Sequence, residues 1–248
     1  MRKGLYFIFF ITLKITAFAQ FSELGVTAGY AVYNGTIDVT YSNFIPQTRM
    51  FFGAFCKYRL NDELYIRAQA SETELYADER RFPATDFRFQ RGLNFRTPLT
   101  ELIVTGEWHL FTFGENVSNN CLTKRFNLYI LGGIGMANFT PRPNADGINV
   151  PDNLLQTIEL NSTNQNAILI PIGGGIRYMF SENLALSAEI IGRKTSSLFI
   201  DGFNCVSTNR NDYYYTGVIS AAYVFSGKSK NHLGLNGNKN YGSNCPRF

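Results

Sequence analysis

Residues 101–110 read Glu101-Leu102-Ile103-Val104-Thr105-Gly106-Glu107-Trp108-His109-Leu110. Successive side chains of an extended chain point to opposite faces. Leu102, Val104, Gly106, Trp108 and Leu110 therefore share one face, and Glu101, Ile103, Thr105, Glu107 and His109 share the other. The same two-residue period recurs elsewhere. In residues 22–33, Leu24, Val26, Ala28, Tyr30 and Val32 oppose Glu23, Gly25, Thr27, Gly29 and Ala31. Leu64, Ile66, Ala68 and Ala70 oppose Tyr65, Arg67, Gln69 and Ser71, and Leu184, Leu186, Ala188 and Ile190 oppose Ala185, Ser187, Glu189 and Ile191. Segments 49–60, 126–139, 165–180 and 213–225 are weaker or longer candidates, which brings the expected total to about eight strands.

The separators alternate in length. Asn61-Asp62 and Ser181-Glu182-Asn183 read as tight turns, whereas 34–48, 75–91, 140–164 and 196–212 are long, polar and rich in Asn, Pro, Asp and Gly. Short turns at one end and long loops at the other is the hairpin rhythm of bacterial outer-membrane barrels, whose long loops face out of the cell. Residues 111–125 depart from it, reading as a long turn at the short-turn end that contains Cys121. The last strand closes on the aromatic run Tyr223-Val224-Phe225, which resembles the terminal assembly signal of such barrels.

Charge decides which face is inside. A soluble sandwich or lipocalin-like barrel would turn its apolar face inward. Here the other face carries Glu23, Arg67, Glu101, Glu107, Arg177, Glu189 and Arg193, and enclosing these is tolerable only if they pair. The reading is an all-β fold: a small closed antiparallel transmembrane β-barrel, apolar toward lipid, with a polar lumen. Four acids facing three arginines in a barrel too narrow for a water column should interlock and plug it, which speaks against a diffusion pore.

The chain start reads as a secretory signal over residues 1–19. Arg2 and Lys3 precede the apolar run Leu5–Leu13, and Ala17-Phe18-Ala19 is a small-x-small cleavage site before Gln20. The run is too short to span a bilayer and is interrupted by Lys14. The barrel is expected over 20–225 and a periplasmic tail over 226–248. Abundant Phe (22), Tyr (14) and Gly (22), against 4 Met, suits strands with aromatic girdles better than amphipathic helices. The net charge of +4 is partly contributed by leader and tail, and no basic patch interleaved with stacking aromatics marks a nucleic-acid surface.

Enzyme chemistry finds little support. Of the two histidines, His109 falls at the short-turn end and His232 in the tail, neither within reach of an outer-leaflet substrate. Glu101 and Glu107 share a face but stand about 20 Å apart by strand rise. Gly173-Gly174-Gly175 has no following Lys-Ser/Thr and lies inside an alternating strand, so it reads as room for side chains crossing the lumen rather than a phosphate loop. The cysteines, at 56, 121, 205 and 245, are spaced too widely for a zinc cluster. No catalytic residue, cofactor, metal or small-molecule substrate is expected.

Two longer stretches carry a family resemblance. Gly92-Leu93-Asn94-Phe95-Arg96-Thr97-Pro98-Leu99-Thr100-Glu101-Leu102 resembles the opening of the fourth strand in PorG-like barrels of the Bacteroidetes type IX secretion system. Ile172-Gly173-Gly174-Gly175-Ile176-Arg177-Tyr178, followed by Glu189-Ile190-Ile191-Gly192-Arg193-Lys194-Thr195, is similar to the sixth and seventh strands of that family. The resemblance spans Gln20 to Phe225 and leaves the 111–125 segment and the cysteine-bearing tail unmatched. It implies a non-enzymatic accessory of a protein-export machine, linking a periplasmic ring of PorK and PorN to the outer membrane. The contact would then fall on the unusual periplasmic material, including Cys121, Lys228, Lys230, Lys239, Cys245 and Arg247. Cys121 and Cys245 share that compartment, and either they pair with each other or one is bridged to a partner subunit; Cys205 belongs to an outer loop. The alternative is a small binding or adhesion barrel that works through its long outer loops.

Overall fold

The alternating stretches all become strands in the computed structural model, which describes residues 22–35, 47–117, 121–145, 163–181, 183–197, 199–203 and 212–225. They are β1 (Glu23–Asn34), β2 (Arg49–Arg59), β3 (Leu64–Asp78), β4 (Leu93–Val117), β5 (Cys121–Phe139), β6 (Arg142–Ala145), β7 (Gln165–Met179), β8 (Leu184–Thr195) and β9 (Tyr213–Val224), with a short helix α1 (Phe87–Arg91) before β4. Each long strand pairs antiparallel with its neighbours in chain order. β9 then returns to β1, from Glu23↔Val224 to Asn34↔Tyr213, and closes an eight-stranded barrel without a free edge. β6 is a ninth, four-residue strand that extends the outer edge of β4 through Leu93↔Ala145 to Arg96↔Arg142.

Two expected boundaries move. The 75–91 segment is not all loop, because β3 runs to Asp78 and pairs with β4 as far as Asn94. A one-turn 3-10 segment follows, and α1 stops where Gly92 takes the left-handed φ of 59° that a side chain would resist. The 111–125 segment is not a loop either. β4 and β5 continue together to Val117↔Cys121, with register shifts after His109 and after Phe113. The first shift is a bulge, which inserts one residue and re-aims the chain, so Phe111 rather than Leu110 faces out beyond it. β3 leaves β4 at Leu64↔Trp108, and β7 leaves β5 at Phe126↔Tyr178. The His109 N–H still donates to the Glu63 carbonyl, and β5 stays on β7 as far as Phe126, opposite Phe113; only past Phe113↔Phe126 do β4 and β5 have just each other, forming a two-stranded ribbon that projects roughly 15 Å from the short-turn end.

The outer face is an apolar belt. Val26, Phe52, Leu102, Ile134, Met136, Ile172, Ile190 and Ile219 are each more than half exposed to the surroundings. Aromatics ring its short-turn edge: Tyr58, Trp108, Phe111, Phe126, Tyr178, Phe180, Tyr223 and Phe225, the placement of an interfacial girdle. No described helix is long and apolar enough to cross a membrane. Outward apolar residues run from Ile168 on β7 to Phe180 just past its end, but only from Leu64 to Ala70 on β3, above which Glu72 and Glu74 face out.

Ile172 lies near the middle of the belt. Ile172→Arg should destabilise the lipid-embedded barrel by about 2–4 kcal/mol, and Leu64→Arg at the belt edge by about 0–1. Equilibrium unfolding in vesicles measures both, and equal, negligible costs would mean that lipid does not contact this face.

Candidate functional site

The inward side chains form tiers. At the short-turn end, Arg177 of β7 meets Glu23 of β1 at 2.7 Å. The middle tier is the densest. Lys57 Nζ of β2 lies 2.7 Å from Glu107 of β4, and Arg67 of β3 reaches both Glu107 (3.4 Å) and Glu189 of β8 (2.8 Å). Tyr129 of β5 donates its hydroxyl to Glu189, Arg67 donates to Gln69, and His109 stacks on Tyr129 with ring centroids 5.1 Å apart. In the upper tier, Arg193 Nε lies 3.2 Å from Glu101, which also accepts from Ser71 Oγ (2.9 Å) and from the Tyr214 hydroxyl.

Four carboxylates thus meet four cations, and each of the eight residues is 5% exposed or less. The charged rows are enclosed by side chains, so the lumen is filled rather than open. Glycine on β7 makes room for it: a Cβ on Gly175 would stand 2.8 Å from Glu189 Cγ and 3.0 Å from the Tyr129 hydroxyl. Removing one partner of such a pair leaves an uncompensated buried charge.

All seven charged residues read from the sequence point into the lumen, distributed over the three tiers rather than in one network. The sequence reading missed Lys57, which supplies the fourth cation. Its signal was the inward set Phe51, Gly53, Phe55, Lys57, in a strand too apolar on both faces to assign. Tyr129 and Tyr214 gave no signal, since Tyr213 and Tyr215 beside Tyr214 face out. Cys121 opens β5 at the tip of the ribbon. Lys228, Lys230, Lys239, Cys245, Arg247 and Cys205 lie outside the described residues, as does the proposed Cys121–Cys245 pairing. Cys56 is a free thiol.

The lumen is polar only in part. Its long-loop end holds an apolar cluster that includes Phe51, Leu75, Leu93, Phe95, Leu99 and Phe139, and Ile200 and Phe203 from the β8–β9 loop are inserted into it. Polar bonds latch that loop. The Tyr33 hydroxyl shares its one proton between Asp212 (2.6 Å) and Asp201 (3.0 Å), Ile200 N donates to Asp212 (3.0 Å), and Thr97 Oγ1 donates to the Ile200 carbonyl (2.6 Å). Burial pushes the Asp212 carboxyl up to about 6, against the hydrogen bonds from Tyr33 and Ile200 that favour its charged form.

The chain matches the family described as a domain of unknown function, DUF6089, over residues 2–233, and it belongs to that family. No curated protein matches it. Among solved structures, Neisserial surface protein A is similar at 12% identity and a TM-score of 0.50, over 82% of this chain and 96% of that one. Ail, the attachment invasion locus protein of Yersinia pestis, aligns at 12% identity and a TM-score of 0.43, over 82% of this chain and 99% of that one. Outer Membrane Protein W of E. coli aligns at 13% and 0.39, over 83% and 99%. At such identities the likeness is one of fold, that of the small eight-stranded outer-membrane barrel.

Glu107→Ala should cost about 3–5 kcal/mol in denaturant unfolding, because Lys57 loses its partner and Arg67 one of two. Lys57→Met combined with Glu107→Leu should recover most of that loss; a double variant as unstable as the single would show that the pair is not the cause. The loop latch has its own pH dependence. Since the folded-state value of Asp212 lies above the ordinary carboxylate value near 3.9, the latch is at full strength below about pH 4 and weakens as pH rises through about 6. Proteolysis of the 199–203 loop should quicken over that window in the wild type, and Asp212→Asn should flatten the rise.

Proposed function

We propose that this member of the DUF6089 family is a non-enzymatic outer-membrane anchor of the type IX secretion system, which holds the periplasmic PorK/PorN-like ring to the membrane. The observation that carries the reading is the β4–β5 ribbon. It projects from the short-turn end, which faces the periplasm in barrels of this kind, and among the described residues its two strands pair only with each other beyond Phe113 and Phe126. An isolated two-stranded ribbon is marginal in water, and unpaired edges are templates for a partner's strand. The plugged lumen supports the same reading, because a barrel filled by neutralised ion pairs serves as an anchor and not a conduit. The resemblance over residues 92–102, 172–178 and 189–195 supplies the identity of the machine.

Lys228, Lys230, Lys239 and Arg247 of the tail add positive charge for an acidic surface on the ring. Cys121 at the ribbon tip pairs with Cys245, or one of the two is bridged to a ring subunit.

The test is co-purification from membranes. The tagged full-length chain should retain the ring subunits, and a variant lacking residues 114–123 should lose them while keeping the heat-modifiable gel mobility of a folded barrel. Non-reducing peptide mapping of the same preparation should find Cys121 or Cys245 in a disulfide, and both thiols free would remove that idea. Undiminished retention by the shortened variant overturns the ribbon as the contact. Failure of the wild type to retain any ring subunit, with loss of surface-ligand binding after outer-loop exchange, would establish the adhesion reading instead.

A further inference from the structure

Above the belt, on the face formed by β2, β3, β4 and β6, arginines gather around one outward tyrosine. The Arg49 guanidinium stacks over the Tyr76 ring at 3.9 Å, with Arg96 and Arg81 at 5.5 and 6.0 Å from its centroid. Arg96 in turn sits directly opposite Arg142 of β6, both exposed on the same face. Like charges opposite one another across a sheet are destabilising. Among the described residues, neither Arg81, Arg96 nor Arg142 has an ion-pair partner to offset this, while Glu74 is engaged by Arg49 at 3.4 Å and Asp78 by the Tyr76 hydroxyl at 3.1 Å. A guanidinium stacked by its plane keeps its N–H edges available, and those edges match phosphate oxygens in pairs.

The height of the patch says where the phosphate comes from. On β4 the outward residues turn polar at Thr100, and Arg96 stands four residues further, about 10 Å higher after strand tilt. That level belongs to headgroups, just outside the hydrocarbon. We propose that Arg81, Arg96 and Arg142, with the Tyr76 platform, bind the phosphate groups of a phosphorylated glycolipid in the outer leaflet. The proposal rests on the reading of the long-loop end as facing out of the cell, and not on the secretion partner. An anion shared between Arg96 and Arg142 converts their repulsion into two charge-assisted contacts.

Native mass spectrometry of the full-length barrel with lipid A, carrying its phosphates or enzymatically stripped of them, tests the idea. The wild type should hold the phosphorylated form about tenfold more tightly than the stripped form, and millimolar inorganic phosphate should not displace it. The variant Arg81→Gln/Arg96→Gln/Arg142→Gln should lose that preference while keeping folded gel mobility and wild-type retention of ring subunits. Equal binding of both lipids by the wild type, or an unchanged preference in the variant, overturns the proposal. Displacement by inorganic phosphate would also overturn it, by identifying a site for soluble anions.

Discussion

Eight strands enclose a space just wide enough for side chains, and this chain fills it with charge. That constraint orders the rest of the molecule. Once lipid claims the apolar face, the opposite face has nowhere to go but the centre, and each ion enclosed there must meet its opposite within hydrogen-bonding reach or cost several kcal/mol. Glu107 between Lys57 and Arg67, Glu189 between Arg67 and Tyr129, and Glu101 between Arg193 and Tyr214 are three solutions to one problem. Register follows, because sliding any strand by one residue would present these charges to acyl chains and Leu or Ile to the carboxylates.

The inside-out arrangement was legible in residues 101–110 alone, since strict alternation with carboxylates on one side admits few other folds. Face assignment failed where composition did not differ between faces. β2 places Phe51 and Phe55 inward and Phe52 outward, so nothing in the string told Lys57 from a surface lysine until its neighbours set the register. The Tyr213-Tyr214-Tyr215 triplet hid Tyr214 in the same way. The ribbon was misread as a turn because the bulge after His109 breaks the period that identifies a strand. The loop insertion of Ile200 and Phe203 is a tertiary event without local signature: two apolar residues in a polar loop look the same whether they plug a barrel or face water.

Filling is therefore divided between two chemistries. Toward the short-turn end the lumen is held by ion pairs, and toward the long-loop end by aromatic and aliphatic packing beneath a loop pinned by Tyr33, Asp201 and Asp212. The division matches what each end borders. The ribbon end carries backbone edges suited to protein, whereas the opposite rim carries arginines suited to lipid headgroups. Both lie outside the plug, so a contact made at either end would leave the filled interior undisturbed.

The unequal belt has a consequence for the surrounding bilayer. Outward apolar residues cover about 30 Å of height on β7 and roughly half that on β3, so the two sides demand different hydrocarbon thicknesses. Hydrophobic mismatch of this kind is relieved by local compression of the leaflet or by tilt of the whole cylinder, each at a fraction of a kcal/mol per Å. The thin side, β3, carries Tyr76, around which the outer arginines gather. Either response singles out one side of the cylinder, so a barrel with such a belt has a distinguishable direction within the plane of the membrane.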